Sequence, residues 1–79
     1  MNEHPLISID PRVMVGKPCI KGTRLPVYHV LRYLGGGMTP EQYVAEFPSA
    51  TIEGVHAALA YAGDLLEDYR IVASEQLAG

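Results

Sequence analysis

The stretch TPEQYVAEFPSATIEGVHAALAYAGDLLEDY, residues 39–69, decides the architecture. Thr39 is a capping residue, Pro40 stands at a first helical position where its missing N–H is no loss, and Gln42 has the spacing of a capping box. Tyr43, Val44 and Phe47 give the segment 40–47 an apolar face, and Pro48 stops it after about two turns. Thr51 can cap again, with Glu53 in the first turn, where a negative charge favours the helix dipole. From there Ile52, Val55, Leu59, Ala62, Leu66 and Tyr69 recur three or four residues apart, which predicts an apolar seam along a helix of about five turns. Ala58, Tyr61 and Leu65 form a second stripe beside it. A short helix, a tight turn through Pro48-Ser49-Ala50 and a longer helix is the layout of a helix-turn-helix, although many three-helix bundles share it without touching DNA.

Upstream, Pro26 suits a first turn, and Val27, Val30, Leu31 and Leu34 predict a helix over 27–34 that Gly35, Gly36 and Gly37 close. Before it, the β-branched runs 6–9 and 12–15 flank the turn signal Asp10-Pro11, predicting a hairpin or a pair of edge strands. The segment GKPCIKGTRLPV, residues 16–27, reads as a shaped loop: Gly16 and Pro18 interrupt any strand, Cys19-Ile20 can resume one, and Gly22-Thr23 break it again. The expected fold is mainly α, a three-helix helix-turn-helix bundle of homeodomain-like or winged-helix-like type with a short N-terminal β-hairpin. It forms one domain over 1–79, with a β element and basic loop at 5–25, three helices over 26–70 and a tail at 71–79.

At 79 residues a single core is only marginally sufficient, and one cysteine allows no intrachain disulfide. Oligomerisation is the usual remaining remedy. A long helix with two apolar stripes points the same way, to a homodimer, with a wide core face as the alternative. No apolar run approaches the ~18 residues of a membrane span, and MNEHPLISID lacks a signal-peptide layout, so a cytoplasmic location is expected.

The net charge of −3 conceals a division. Residues 1–40 carry Arg12, Lys17, Lys21, Arg24 and Arg32 against Glu3 and Asp10, a balance of +3, whereas 41–79 set Arg70 alone against seven carboxylates, a balance of −6. Such polarity suits two partners of opposite sign, or one polyanion met by one face; an unevenly charged solvated surface is the plain alternative.

Taken together, Ile9-Asp10-Pro11, the run Gly16 to Val27, Gly37-Met38-Thr39-Pro40-Glu41, Phe47-Pro48 and Ala57 to Ala62 strongly resemble domain of unknown function family 433. These are small bacterial and archaeal helix-turn-helix proteins, and the resemblance covers roughly residues 6 to 66. It implies a homodimer with a DNA-binding fold, acting as a VapB-like antitoxin of a type II toxin–antitoxin pair, often beside a PIN-domain ribonuclease.

The residues available for DNA are Lys17, Lys21, Arg24 and Arg32 as phosphate partners, with Thr51 and His56 as polar contacts near the start of the third helix. That helix has no Lys or Arg before Arg70, so the N-terminal half must supply the charge. In GKPCIKGTRLPV the glycines and prolines fix an irregular path on which Cys19, Ile20 and Leu25 anchor inward and Lys21 and Arg24 point outward. The competing expectation is that these two cations pair with acids such as Asp10 or Glu41 and serve the fold. Tyr28 or Tyr33 beside Arg32 can stack at an interface. For a toxin partner, Leu66, Tyr69, Ile71 and Val72 at the acidic C-terminal end offer apolar contacts, with a frayed helix end as the alternative.

Enzyme readings fare worse. The run from Gly16 to Thr23 lacks the lysine that a phosphate-binding loop places between its last glycine and the hydroxyl residue. Cys19 sits among apolar neighbours, and His4, His29 and His56 are scattered, so no catalysis, metal or cofactor is expected. The sequence therefore predicts a DNA-binding antitoxin that neutralises a PIN-like nuclease and represses its own operon, or alternatively a dimeric protein-interaction module without specific DNA binding.

Overall fold

A computed structural model describes residues 3–67 of the chain. Two strands, β1 (Ile7–Ser8) and β2 (Cys19–Ile20), precede three helices, α1 (Val27–Gly35), α2 (Pro40–Glu46) and α3 (Ile52–Glu67). The strands pair antiparallel, Ile7 opposite Ile20 and Ser8 opposite Cys19. All three helices touch one another, and α3 also packs on both strands.

The hairpin's second strand is not the 12–15 run that β-branching suggests. Asp10 takes that segment out of the sheet: its carboxylate accepts the Arg12 backbone N–H at 2.9 Å, and its carbonyl accepts Val13 N–H at 2.9 Å, which closes a turn. Met14–Gly16 follows as a single 3-10 turn, with φ of 50° at Met14 and 52° at Val15. Positive φ is costly for a β-branched residue, and Val15 sits there 87% exposed. β1 pairs instead with Cys19–Ile20, the segment that can carry apolar side chains inward; both residues are buried.

The helix starts follow local chemistry. Thr39 Oγ1 accepts the Gln42 N–H at 3.1 Å and Gln42 Oε1 accepts the Thr39 N–H at 2.8 Å, a complete capping box on α2. Thr51 Oγ1 accepts the Gly54 N–H at 3.0 Å and caps α3. At the end of α1 only Gly37 takes a positive φ, 109°; Gly35 is the last helical residue and Gly36 remains at −82°.

The core comprises Ile20, Val27, Val30, Tyr43, Ala50, Val55, Ala58 and Ala62. It turns α3 slightly from the expected seam. Ala58, assigned to the flanking stripe, is fully buried, whereas Leu66, assigned to the seam, is 62% exposed. Close approach is the reason. Gly54, Ala58 and Ala62 line up at four-residue steps on the buried face, and a Cβ at position 54 would stand 2.8 Å from Ile20 Cγ2. Small side chains let β2 and α1 come against the helix axis, and the larger leucines are displaced to the flanks.

Candidate nucleic-acid interface

The turn after β2 is fixed by a side chain whose role composition does not reveal. Thr23 Oγ1 donates to the Ile20 carbonyl at 2.7 Å and accepts the Leu25 N–H at 3.0 Å, while Thr23 N–H bonds the same Ile20 carbonyl at 3.0 Å. Ile20 N–H donates to the Leu25 carbonyl at 3.0 Å and Lys21 N–H to the Leu6 carbonyl at 2.7 Å, so the segment is tied on both sides. Gly22, at φ 80°, supplies the reversal. A hydroxyl residue directly after a glycine in a turn is the sequence signal that could have marked Thr23.

Cys19 and Ile20 point into the core, Leu25 packs against it, and Lys21 and Arg24 stand exposed. Neither cation makes an ion pair within the chain among the described residues, because the nearby Asp10 carboxylate is taken by Arg12, whose Nε and Nη2 donate at 3.1 and 3.0 Å. That guanidinium holds the Asp10 carboxyl below its ordinary value. Arg24 borders an open cleft of about 630 Å³ shared with Ser8, Asp10 and Ser49, and Ser49 lies in the connection between α2 and α3. The cation thus flanks the turn of the helix-turn-helix layout. Its charge also reaches Cys19, where it opposes the stronger effect of burial, which pushes the thiol up and leaves it a packed, weakly reactive group.

Lys17 and Arg32 form a separate pair. Both lie over the ring of Tyr28, Lys17 Nζ at 5.5 Å and Arg32 Cζ at 5.8 Å from its centroid, an arrangement worth about 0.5–1 kcal/mol at an exposed site. The four cations therefore occupy two places, the Thr23-locked turn and the Tyr28 ring. Thr51 is exposed but spends its acceptor on the α3 cap. His56 is exposed on the first half of α3, beyond Glu53. Leu66 is exposed beside Leu65 at the end of α3, and Tyr69, Ile71 and Val72 lie outside the described residues.

The remaining histidines serve packing. His4 Nε2 lies 2.8 Å from Asp64 Oδ2 and edge-on to Tyr61, tying the N-terminal segment to α3. His29 joins Tyr33, Tyr43 and Phe47 in an aromatic cluster between α1 and α2. There the Tyr43 hydroxyl lies 2.8 Å from His29 Nδ1 and donates to it when that nitrogen is unprotonated. Burial, with Tyr33 alongside, pushes the Tyr43 phenol up to about 12. Among the described residues there is no group of three His, Cys, Asp or Glu side chains placed to hold a metal ion. No helix among them is long and apolar enough to cross a membrane.

Residues 7–62 match the family described as Protein of unknown function (DUF433). The chain belongs to the DUF433 family. The crystal structure of a DUF433 member from Anabaena variabilis ATCC 29413 shares the fold, with a TM-score of 0.72 at 32% identity over 78% of this chain and 61% of that one. The uncharacterized protein y4eO of Sinorhizobium fredii (strain NBRC 101917 / NGR234) is 29% identical over 85 residues, covering 92% of this chain and 38% of its own length. This chain thus spans less than two thirds of either relative. The DUF433 match encloses the Thr23-locked turn, both cation pairs, Thr51 and His56, and stops before Leu66.

Proposed function

We propose that the chain is a DNA-binding antitoxin that pairs with a PIN-domain-like ribonuclease in the cytoplasm, neutralises it and represses the operon encoding both. The observation that carries this reading is the placement of Arg24. An exposed guanidinium without a carboxylate partner among the described residues, on a turn locked by Thr23, shares a cleft with Ser49 of the α2–α3 connection. Lys21 stands on the same turn. Cations carried on a hydrogen-bonded turn beside a helix-turn-helix serve to grip phosphates, while the start of α3, with Thr51 and His56, faces the groove. Apolar side chains at the end of α3, Leu66 among those described, suit the toxin. The test is co-expression with the neighbouring nuclease gene, followed by a mobility-shift assay on the operon's promoter. The toxin co-purifies and the complex retards the promoter fragment at low salt; absence of both outcomes removes the reading.

A second reading has its own support: α3 carries Glu53, Asp64 and Glu67 and no Lys or Arg, which disfavours insertion into a duplex. On that account the domain is a protein-interaction module, and the nuclease co-purifies while no promoter fragment shifts.

A further inference from the structure

Lys17 and Arg32 stand apart from the Thr23-locked turn, in surroundings of a different kind. The Lys17–Pro18 segment is pinned to the start of α1, where the Pro18 carbonyl accepts the Val27 N–H at 2.8 Å. That brings Lys17 Nζ to 5.5 Å from the centroid of the Tyr28 ring, with Arg32 Cζ at 5.8 Å. Tyr28, Leu31 and Arg32 follow at helical spacing along one exposed side of α1, a helix with no acidic residue. Tyr28 remains 44% exposed despite both cations.

Beside the ring, between α1 and the last turns of α3, runs an apolar groove of about 280 Å³, floored by Pro18, Val27 and Ala62 and walled by Leu31 and Leu65. Lys17 is the one charged residue among the described residues that line it. The carboxylates of α3 lie elsewhere: at about 100° per residue, Glu53, Asp64 and Glu67 fall on the side of the helix away from Ala62 and Leu65, and Asp64 is engaged by His4.

An exposed aromatic ring, an apolar recess next to it and two cations on the ring suit a flat apolar ring with a negative charge attached. A nucleotide whose base is unstacked has that chemistry. A duplex keeps its bases paired inside and offers the recess only phosphates, whose charge the apolar lining disfavours. A helical peptide needs anchors spread over about 10 Å, at i, i+3 or i+4 and i+7, whereas a volume of about 280 Å³ stands at the small end of ligand sites.

We propose that α1 carries a nucleic-acid site of its own, for single strands: a base lies against Tyr28 and enters the groove beside Leu31 and Leu65, while Lys17 and Arg32 hold the adjoining phosphates. The site is separate from Lys21 and Arg24, and it stands whether or not their turn grips a duplex.

The experiment is fluorescence anisotropy of labelled, unstructured strands of about 12 nucleotides, as DNA and as RNA, from about 50 mM salt upward, with circular dichroism to verify the folding of each variant. The wild type binds single strands, and the tighter of the two names the source. Tyr28→Ala weakens binding by about fivefold or more, whereas Tyr28→Phe, which keeps the ring, binds as the wild type does. Arg32→Gln lowers the salt slope by about 0.7, the share of one phosphate on a single strand. Leu65→Glu, which sets a carboxylate at the groove, also weakens binding. Lys21→Gln/Arg24→Gln weakens it less than Arg32→Gln alone does, and the opposite order overturns the proposal. A promoter duplex that stays unbound while single strands bind removes the duplex reading and leaves this site in place. A folded wild type that binds neither strand overturns the proposal, including the case in which Tyr28→Ala instead releases a co-purified nuclease and the groove proves to be a protein contact. So does a folded Tyr28→Ala variant with wild-type affinity for both strands.

Discussion

A methyl group at position 54 has no room. The Cβ of an alanine there would meet Ile20 Cγ2 at 2.8 Å and Thr51 Oγ1 at 3.3 Å, the first a branch methyl of a buried side chain and the second the atom that caps α3. Alanine is the better helix former by about 1 kcal/mol, but overpacking costs about 1–3 kcal/mol and the disturbed cap adds to it. Gly54→Ala therefore lowers stability by about 1 kcal/mol in urea denaturation, the reverse of what helix propensity alone predicts. Tyr43 gives a pH-dependent case. Its phenol titrates at about 12 when folded against an ordinary 10.0, so the proton bound in the native state stabilises the protein below pH 10 and that contribution disappears as pH rises toward 12. Tyr43→Phe costs about 1 kcal/mol at neutral pH by removing the bond to His29. Between pH 9 and pH 11 the wild type then falls by about 1 kcal/mol relative to the variant, measured as paired denaturation curves.

At the scale of elements, what is legible in the sequence is what adjacent residues settle among themselves. The capping box at Thr39 and Gln42 needs only atoms three residues apart, and its spelling carries over directly into hydrogen bonds. Thr39→Ala removes the side-chain half of that box and costs about 1 kcal/mol, read as a lower thermal midpoint with the fold otherwise retained. The run 12–15 misleads because β-branching in Val13 and Val15 speaks only of local preference, whereas the Asp10 carboxylate and carbonyl claim the neighbouring N–H groups for a turn. The buried face of α3 lies a partial turn from the periodic seam for a different reason. Periodicity gives weight to large side chains such as Leu59 and Leu66, but how closely two elements approach is set by the small ones, and Gly54, Ala58 and Ala62 become visible as a stripe only against Ile20. For the candidate site, the sequence already shows Lys21 and Arg24 outward and Cys19 and Ile20 inward. It does not show that Thr23 locks the turn, or that Tyr28 gathers Lys17 and Arg32 away from that turn, because both depend on which atoms meet across the fold.

At the scale of the whole molecule, charge is sorted. Within the described chain the bases lie between Arg12 and Arg32, and everything from Glu41 to Glu67 is acidic or neutral. Among the described residues, Arg12 alone of those bases pairs with a carboxylate. The Thr23-locked turn carries two of these bases, Lys21 and Arg24, outward on one side of the domain. On the proposed reading, Lys21 and Arg24 provide the electrostatic grip on nucleic acid. That grip is measured most directly by fluorescence anisotropy of a promoter duplex, titrated across about 50 to 300 mM salt with the wild type and with Lys21→Glu/Arg24→Glu. The account predicts that the wild-type affinity falls linearly in log salt, and that the double variant binds more weakly with a slope shallower by about 0.9 for each phosphate no longer neutralised. A double variant whose affinity and slope match the wild type, or a wild type with no salt-dependent binding, would contradict it.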